Sequence, residues 1–356
     1  MLLRRTAQIT AVLGLVAVGV WVVRGKKWEL LRKPAGVASA EPKIKPRSAA
    51  DIIPQLEAPP KRSGVTVKDL LAGKVPQLSQ AEIEAFLQNQ GRTPANLLAA
   101  SRLLKDLKYA REAALLDPQN PLVQLELALR GENPEEKAAA IAAFRTVAPD
   151  NSLGDYLAAH QAFQSGDAGA AGSALLRGLD SPLFADYSQQ LIDGSEQAYL
   201  DAGYEPQSAA VAAMISLTLE RSQSLMSVAD SLKGLQDEFI RTADFDSAEP
   251  TVIIGLTLGQ RMQEQGPYLI DQLMGNVIER KFLLQLDPLT AAGPGGQTAA
   301  ERLETLDANL LEIKTLSGGF AETFVTMDEA TRSQYLAKMK AEGELAAMRW
   351  VAARPR

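Results

Sequence analysis

An all-α protein is what this sequence predicts, and three observations carry the expectation. Hydrophobic residues make up 46% of the 356 positions while aromatic residues make up only 5%. Alanine is abundant, which favours closely packed helices, whereas strands draw on aromatic and β-branched side chains. Beyond residue 79, apolar residues recur at steps of three and four, the period of a helix face. Ser, Thr, Asp and Pro stand where several such runs begin, as helix caps and first turns require.

Composition also removes several kinds of chemistry. The chain has no cysteine and a single histidine, His160. Disulfides, thiolate catalysis, cysteine-ligated metals and the His-Glu-x-x-His metal helix are therefore excluded. The net charge of −6 is unevenly spread: residues 1–62 hold 12 Lys/Arg against 4 Asp/Glu, which leaves 25 against 39 for the rest. So acidic a body repels nucleic acid, and the basic tail is the part suited to an anionic surface. Its place beside an apolar segment points to lipid.

The organisation expected along the chain has four parts: an N-terminal anchor over 1–33, a disordered Pro-rich linker over 34–78, helical repeats over 79–205 and a C-terminal helical domain over 206–356. Arg4 and Arg5 precede an uncharged stretch, residues 6–23, followed by Arg24, Lys26 and Lys27. As a helix this stretch reaches about 27 Å at ~1.5 Å per residue, close to the hydrocarbon thickness of a bilayer. Trp21 and Trp28 lie near one end, where interfacial indoles are favoured. Ala38-Ser39-Ala40 resembles a signal-peptidase site but lies well past the apolar run. The expectation is an uncleaved transmembrane anchor. Lys and Arg counts around it favour a cytoplasmic body; the early Arg pair and the Pro- and Ala-rich spacer favour an extracytoplasmic one, which is the reading taken. In the linker, Pro34, Pro42, Pro46, Pro54, Pro59 and Pro60 block helix, and few apolar residues offset the entropy of ordering.

The first clear helix follows. Ser79 caps residues 80–90, Glu82 closes the capping box, Ile83, Phe86 and Leu87 share a face, and Gly91 stops it. Thr93-Pro94 starts the next as cap and first turn. A recurrence then appears. Leu116-Asp117-Pro118-Gln119-Asn120-Pro121-Leu122 is echoed 31 residues later by Val147-Ala148-Pro149-Asp150-Asn151-Ser152-Leu153, and more weakly by Leu179-Asp180-Ser181-Pro182-Leu183. In the best unit Ala159 occupies a small position in one helix, Gly166-Asp167 the turn, Ala171 and Leu175 the second helix, and Pro182 the close. The preceding unit keeps Ala128, Ala140, Phe144 and Pro149, and the one before it Ala113 and Pro118.

Over residues 93–187, roughly a quarter of the chain, this pattern resembles the tetratricopeptide repeat, whose period is about 34. The motif is degenerate, and generic helical hairpins are the competing description. The resemblance implies stacked antiparallel hairpins whose first helices line a groove for a protein or peptide. The matching positions here are Leu125, Leu129, Tyr156, His160 and Phe163. Because they are mostly apolar, the alternative is that they are core covered by later helices. His160 has only Tyr156, Leu157, Phe163 and Gln164 at helical spacing, and none is a carboxylate able to orient a catalytic ring.

The C-terminal half also reads as helices: from Pro206, over 225–240, over 251–265 opened by Pro250, over 268–286 opened by Pro267, and over 298–315 beyond a Gly293-Pro294-Gly295-Gly296 loop. A last helix from Asp328 to about Ala353, capped by Thr326, has Leu336, Met339, Gly343, Ala346, Ala347 and Trp350 on its apolar face. That loop lacks the Lys-Ser/Thr of a phosphate site, and Asp244-Phe245-Asp246 starts like a calcium loop but does not finish as one. No catalytic, cofactor-binding or metal residue is assigned. The sequence points to a membrane-anchored, non-catalytic interaction protein. Two alternatives stay open: a self-assembling envelope component, and an enzyme built from carboxylates that converge only in the fold.

Overall fold

The computed structural model describes residues 65–217 and 220–354. The expected anchor over 6–23 and the linker as far as residue 64 lie outside these residues. Among those described, all regular structure is helical apart from two isolated bridges, Asn151 with Leu183 and Ala291 with Thr298. No helix among them is long and apolar enough to cross a membrane.

Seventeen α-helices follow one another among the described residues: α1 (Val67–Leu71), α2 (Gln80–Gln90), α3 (Pro94–Leu104), α4 (Leu107–Leu116), α5 (Pro121–Arg130), α6 (Pro134–Val147), α7 (Leu153–Gln164), α8 (Ala168–Asp180), α9 (Ser188–Asp201), α10 (Pro206–Ile215), α11 (Glu220–Arg241), α12 (Phe245–Gln265), α13 (Leu269–Leu283), α14 (Ala299–Ser317), α15 (Phe320–Thr326), α16 (Glu329–Glu342) and α17 (Glu344–Ala352). Local chemistry sets many of their ends. Ser79 and Glu82 form a reciprocal capping box at α2, and Thr298 and Glu301 do the same at α14. Pro94, Pro121 and Pro134 sit in the first turn behind caps Thr93, Asn120 and Asn133. Lys105, at φ 55°, reverses the chain between α3 and α4. Gly166, at φ 78°, does so between α7 and α8, where Asp167 caps α8 through the Ala170 N–H.

Neighbours in sequence pack as pairs: α3 with α4, α5 with α6, α7 with α8, and α9 with α10. Small residues sit at their contacts, with Ala113, Ala128, Ala140, Ala159 and Ala171 all buried. The long helix α11 then lies against α7 and α5, pairs with α12 and touches α13. One buried apolar cluster extends from Val67 to Met348 and crosses residues 205 and 206 without a break. The two halves therefore share a core.

Several boundaries depart from the sequence expectation. The linker assigned as far as residue 78 ends earlier, because Thr66 and Asp69 cap a short α1 whose Leu70 is buried, and Leu78 is buried as well. Pro250 does not open a helix but lies inside α12, which starts at Phe245 behind the Asp244 cap. The proline forgoes one intrahelical bond while Ala248, Thr251 and Val252 hold that turn by burial. The last helix, expected from Asp328 to about Ala353, is two, with the short α15 ahead of them. Thr326 ends α15 instead of capping, Asp328 caps α16, and Gly343 at φ 88° separates α16 from α17. The break lets the Glu344 N–H donate to the Pro267 carbonyl at 2.8 Å.

The antiparallel pair α12–α13 comes close because of glycine. A Cβ on Gly255 would fall within the ring of Phe282, and one on Gly259 would lie 2.7 Å from the Glu279 backbone nitrogen. Replacing Gly255 by Ala forces these helices apart. The expected loss is about 1–3 kcal/mol, the usual cost of overpacking, seen as a lower urea midpoint.

Candidate functional site

The predicted groove positions do not form an open surface. Leu125 and Tyr156 are 1% and 0% exposed, so neither can meet a partner in the folded chain. The reason is α11, which lies on α5 and α7 and buries Leu225, Val228, Ala229 and Leu232. Each buried leucine contributes about 1.5–3 kcal/mol, enough to favour filling this face over leaving it wet. Leu129 and Phe163 are half-buried against the same core. Tyr156 Oη accepts from Arg261 of α12 at 3.2 Å, and the same guanidinium donates to the Leu179 carbonyl at 2.8 Å and to that of Gly178, closing the C-terminus of α8. His160 is half-buried, its Nε2 is 3.0 Å from the Gln164 amide, and its Nδ1 has no hydrogen-bond partner. Burial, with Lys137 nearby, lowers its pKa and favours the neutral ring. The five residues are thus core or core margin, not one binding surface.

Where α3, α5, α9, α10, α11 and α13 meet, the structure gathers charges that sequence spacing did not reveal. A small internal space of about 50 Å³ is walled by Leu125, Leu129, Leu191 and Met214 and by Arg102, Glu126, Asp186, Glu220 and Arg221. It has room for a few waters but not for a drug-sized ligand. Arg102 grips Glu126 with two hydrogen bonds, one at 2.8 Å, and both side chains are buried. Arg130 adds a longer contact to Glu126 at 3.5 Å. Arg221 bridges Asp186, ahead of α9, and Asp271, in the first turn of α13. Ser188 donates its hydroxyl to Asp186 at 2.8 Å. Tyr268 Oη is buried here without a hydrogen bond of normal geometry. Burial pushes the Asp271 carboxyl up to about 6 against the pull of Arg221.

A further acid reaches the start of α13. Glu344, 2% exposed, accepts the Leu269 N–H at 2.8 Å and pairs with no cation among the described residues. Burial, with the nearby charge of Asp271 adding to it, pushes its carboxyl up to about 7. A second buried knot joins α12, α13 and α14: Arg302 donates to both oxygens of Glu279 at 2.7 and 2.8 Å, and the Gln260 and Gln263 amides complete the shell.

These arrangements match positive to negative and attach helix to helix. No group of three or more His, Asp or Glu that could hold a metal occurs among the described residues, and Asp244 serves as the cap of α12. A shallower cleft of about 520 Å³ runs between α6 and the α7–α8 hairpin, lined by Ala138, Ile141, Ala142, Arg145, Gln161 and Ala162 among others. No family model, curated protein or solved structure matches the chain.

Two outcomes follow from the buried charges. Arg102→Met leaves buried Glu126 with only the longer contact to Arg130 and is expected to cost about 3 kcal/mol, whereas pairing it with Glu126→Leu recovers most of that loss in a urea titration. Glu344 binds its proton more tightly folded than unfolded, where its pKa is near 4.5. Its contribution to stability is therefore complete below about pH 4.5 and is lost as pH rises toward about 7. Glu344→Gln should flatten the melting temperature between pH 5 and 7.5 and raise it at the upper end. A variant as pH-sensitive as the parent would contradict this assignment.

Proposed function

We propose that this chain is a membrane-anchored, non-catalytic docking protein. Residues 6–23 hold it at the bilayer on the extracytoplasmic side, and a body of tetratricopeptide-like hairpins presents its outer faces to another protein. The observation that carries the reading is the state of the interior. The two arginines gathered there, Arg102 and Arg221, are engaged with Glu126, Asp186 and Asp271, around a space that fits only a few waters. Such an interior supplies rigidity and leaves recognition to the exterior. The hairpins α5–α6 and α7–α8, with alanine at their contacts, support the repeat comparison. The uncharged run between Arg5 and Arg24 supports the anchor.

One observation favours a second reading, an enzyme that works through carboxylates. Glu126 and Asp271 are buried and Asp186 is half-buried, with Glu220 beside them. A substrate would have to displace the arginines that hold them. A small molecule that raises the melting temperature of the wild type but not of Glu220→Gln would support that reading.

The docking reading is tested by crosslinking the full-length protein in membranes and recovering it with whatever is attached. A protein partner present in stoichiometric yield is expected. Recovery of the chain alone, or of a ladder of its own oligomers, would overturn the proposal. A reporter active only outside the cytoplasm, fused after Arg356, should be active.

A further inference from the structure

Eleven large apolar side chains are exposed among the described residues; Leu115, Leu116, Leu176, Leu183 and Leu311 are spread over other parts of the fold, and the remaining six, Val277 among them, lie in or next to α11–α13. Ile240, Phe245, Ile253, Leu284 and Leu289 are 43%, 65%, 47%, 63% and 81% exposed, and all belong to α11, α12, α13 or the segment just after α13. The register of these helices places them toward one end of the unit. Gly255 meets Phe282 and Gly259 meets Glu279, so α12 and α13 run antiparallel with Ile253 at about the level of Leu284. Lys281 pairs with Asp230, which sets α11 alongside at the same height. Only residues 242–244 separate α11 from α12, so Ile240 and Phe245 lie at the end of the unit toward which the segment carrying Leu289 also emerges.

Charge around this end has one sign. Lys233, Arg241 and Lys281 are each paired with an acid of the unit: Asp237, Glu238 and Asp230. Asp244, Asp246, Glu249 and Asp287 remain, all exposed and without a cationic partner among the described residues. Leucine and phenylalanine this exposed, rimmed by four unopposed carboxylates, form a surface that selects its occupant. An anionic bilayer is repelled by it, and so is a second copy bringing the same acids to a two-fold contact. From Phe245 to Ile253 the patch extends about 12 Å at ~1.5 Å per residue, the length over which a helix presents i, i+4 and i+7 anchors.

We propose that the exposed end of α11–α12–α13, centred on Phe245 and Leu289, docks a basic amphipathic helix of a partner protein. The apolar stripe of that helix covers Ile240, Phe245, Ile253, Leu284 and Leu289, and its Lys and Arg residues meet Asp244, Asp246, Glu249 and Asp287. This proposal rests on the docking function proposed above and names the surface and the class of partner.

The test places a photo-crosslinking amino acid at position 245, 289 or, as a control on α8, 176 in the full-length chain in its membranes, with the adducts sequenced. The expected result is an adduct at 245 and 289, absent at 176, joined to a segment rich in Lys and Arg with apolar residues at helical spacing. Asp246→Lys with Glu249→Lys should lower the yield about tenfold with only a small drop in melting temperature, because both side chains are on the surface and only Asp246 stands in the first turn of α12. An adduct to a second copy, to residues 1–64 of the same chain, or to a segment without basic character would overturn the proposal. So would an unchanged yield in the charge-reversed variant. Adducts at 176 alone would leave the chain a docking protein and move the surface elsewhere, whereas no protein adduct at any position would defeat the docking function itself.

Discussion

The structure depends on where α11 lies. This helix of 22 residues buries Ser222, Leu225, Val228, Ala229, Leu232 and Gln236. It rests on α7 and α5 on one side and on α12 and α13 on the other. Two sets of helices that could each have formed a small core become one. The same placement closes the face that hairpin proteins of the compared kind leave open, and this is why Leu125 and Tyr156 lie in the interior. Its first turn meets the segment before α9 and the start of α13, which leaves the Arg221 side chain 11% exposed. Arg221 is consequently drawn inside, where it must find carboxylates.

The buried ion pairs answer that constraint. Removing two charges from water costs several kcal/mol per ion, and close bidentate geometry is needed to recover it. Arg102–Glu126 and Arg302–Glu279 have that geometry, and Arg221 divides its donors between Asp186 and Asp271. Such pairs add little net stability, but each can form in only one register of the helices that carry it. Arg221 links the segment before α9 to the start of α13, and Glu344 reaches that same start from α17. The N-terminus of α13 thereby becomes the point where the last helix is fastened to the body. Glu344 has no cation beside it among the described residues and burial raises its carboxyl to about 7, so this fastening responds to proton concentration.

Closure of the interior also determines what kind of recognition is physically available. Polar groups already bonded to each other offer nothing to a ligand without being broken apart. An exposed apolar side chain next to an unopposed acid offers both contact area and a preferred sign of charge. On the docking surface proposed above, the acids beside Phe245 and Leu289 would set the sign of charge that a partner must carry.

What could be read directly from the chain were the features confined to a few consecutive residues. Ser79 with Glu82 and Thr93 with Pro94 mark helix starts because cap and capped N–H lie within four positions of each other. Helical period and alanine content established the all-α class for the same reason. Local patterns misled where a distant neighbour overrode them. Pro250 reads as a start until burial of Ala248 and Val252 carries the helix back to Phe245, and Gly343 reads as a packing residue until Pro267 claims the Glu344 N–H. The charged junction had no sequence signal at all. Arg102 and Glu126 are 24 residues apart, Arg221 and Asp271 are 50 apart, and Leu269 and Glu344 are 75 apart. Each reads as an ordinary surface charge until the helices are assembled. The sequence by itself therefore determined which segments are helices and how most of them begin, since those interactions close within one turn. Only tertiary structure decided which helix covers which face and which charges are buried, since those depend on contacts that the spacing of residues along a chain does not encode.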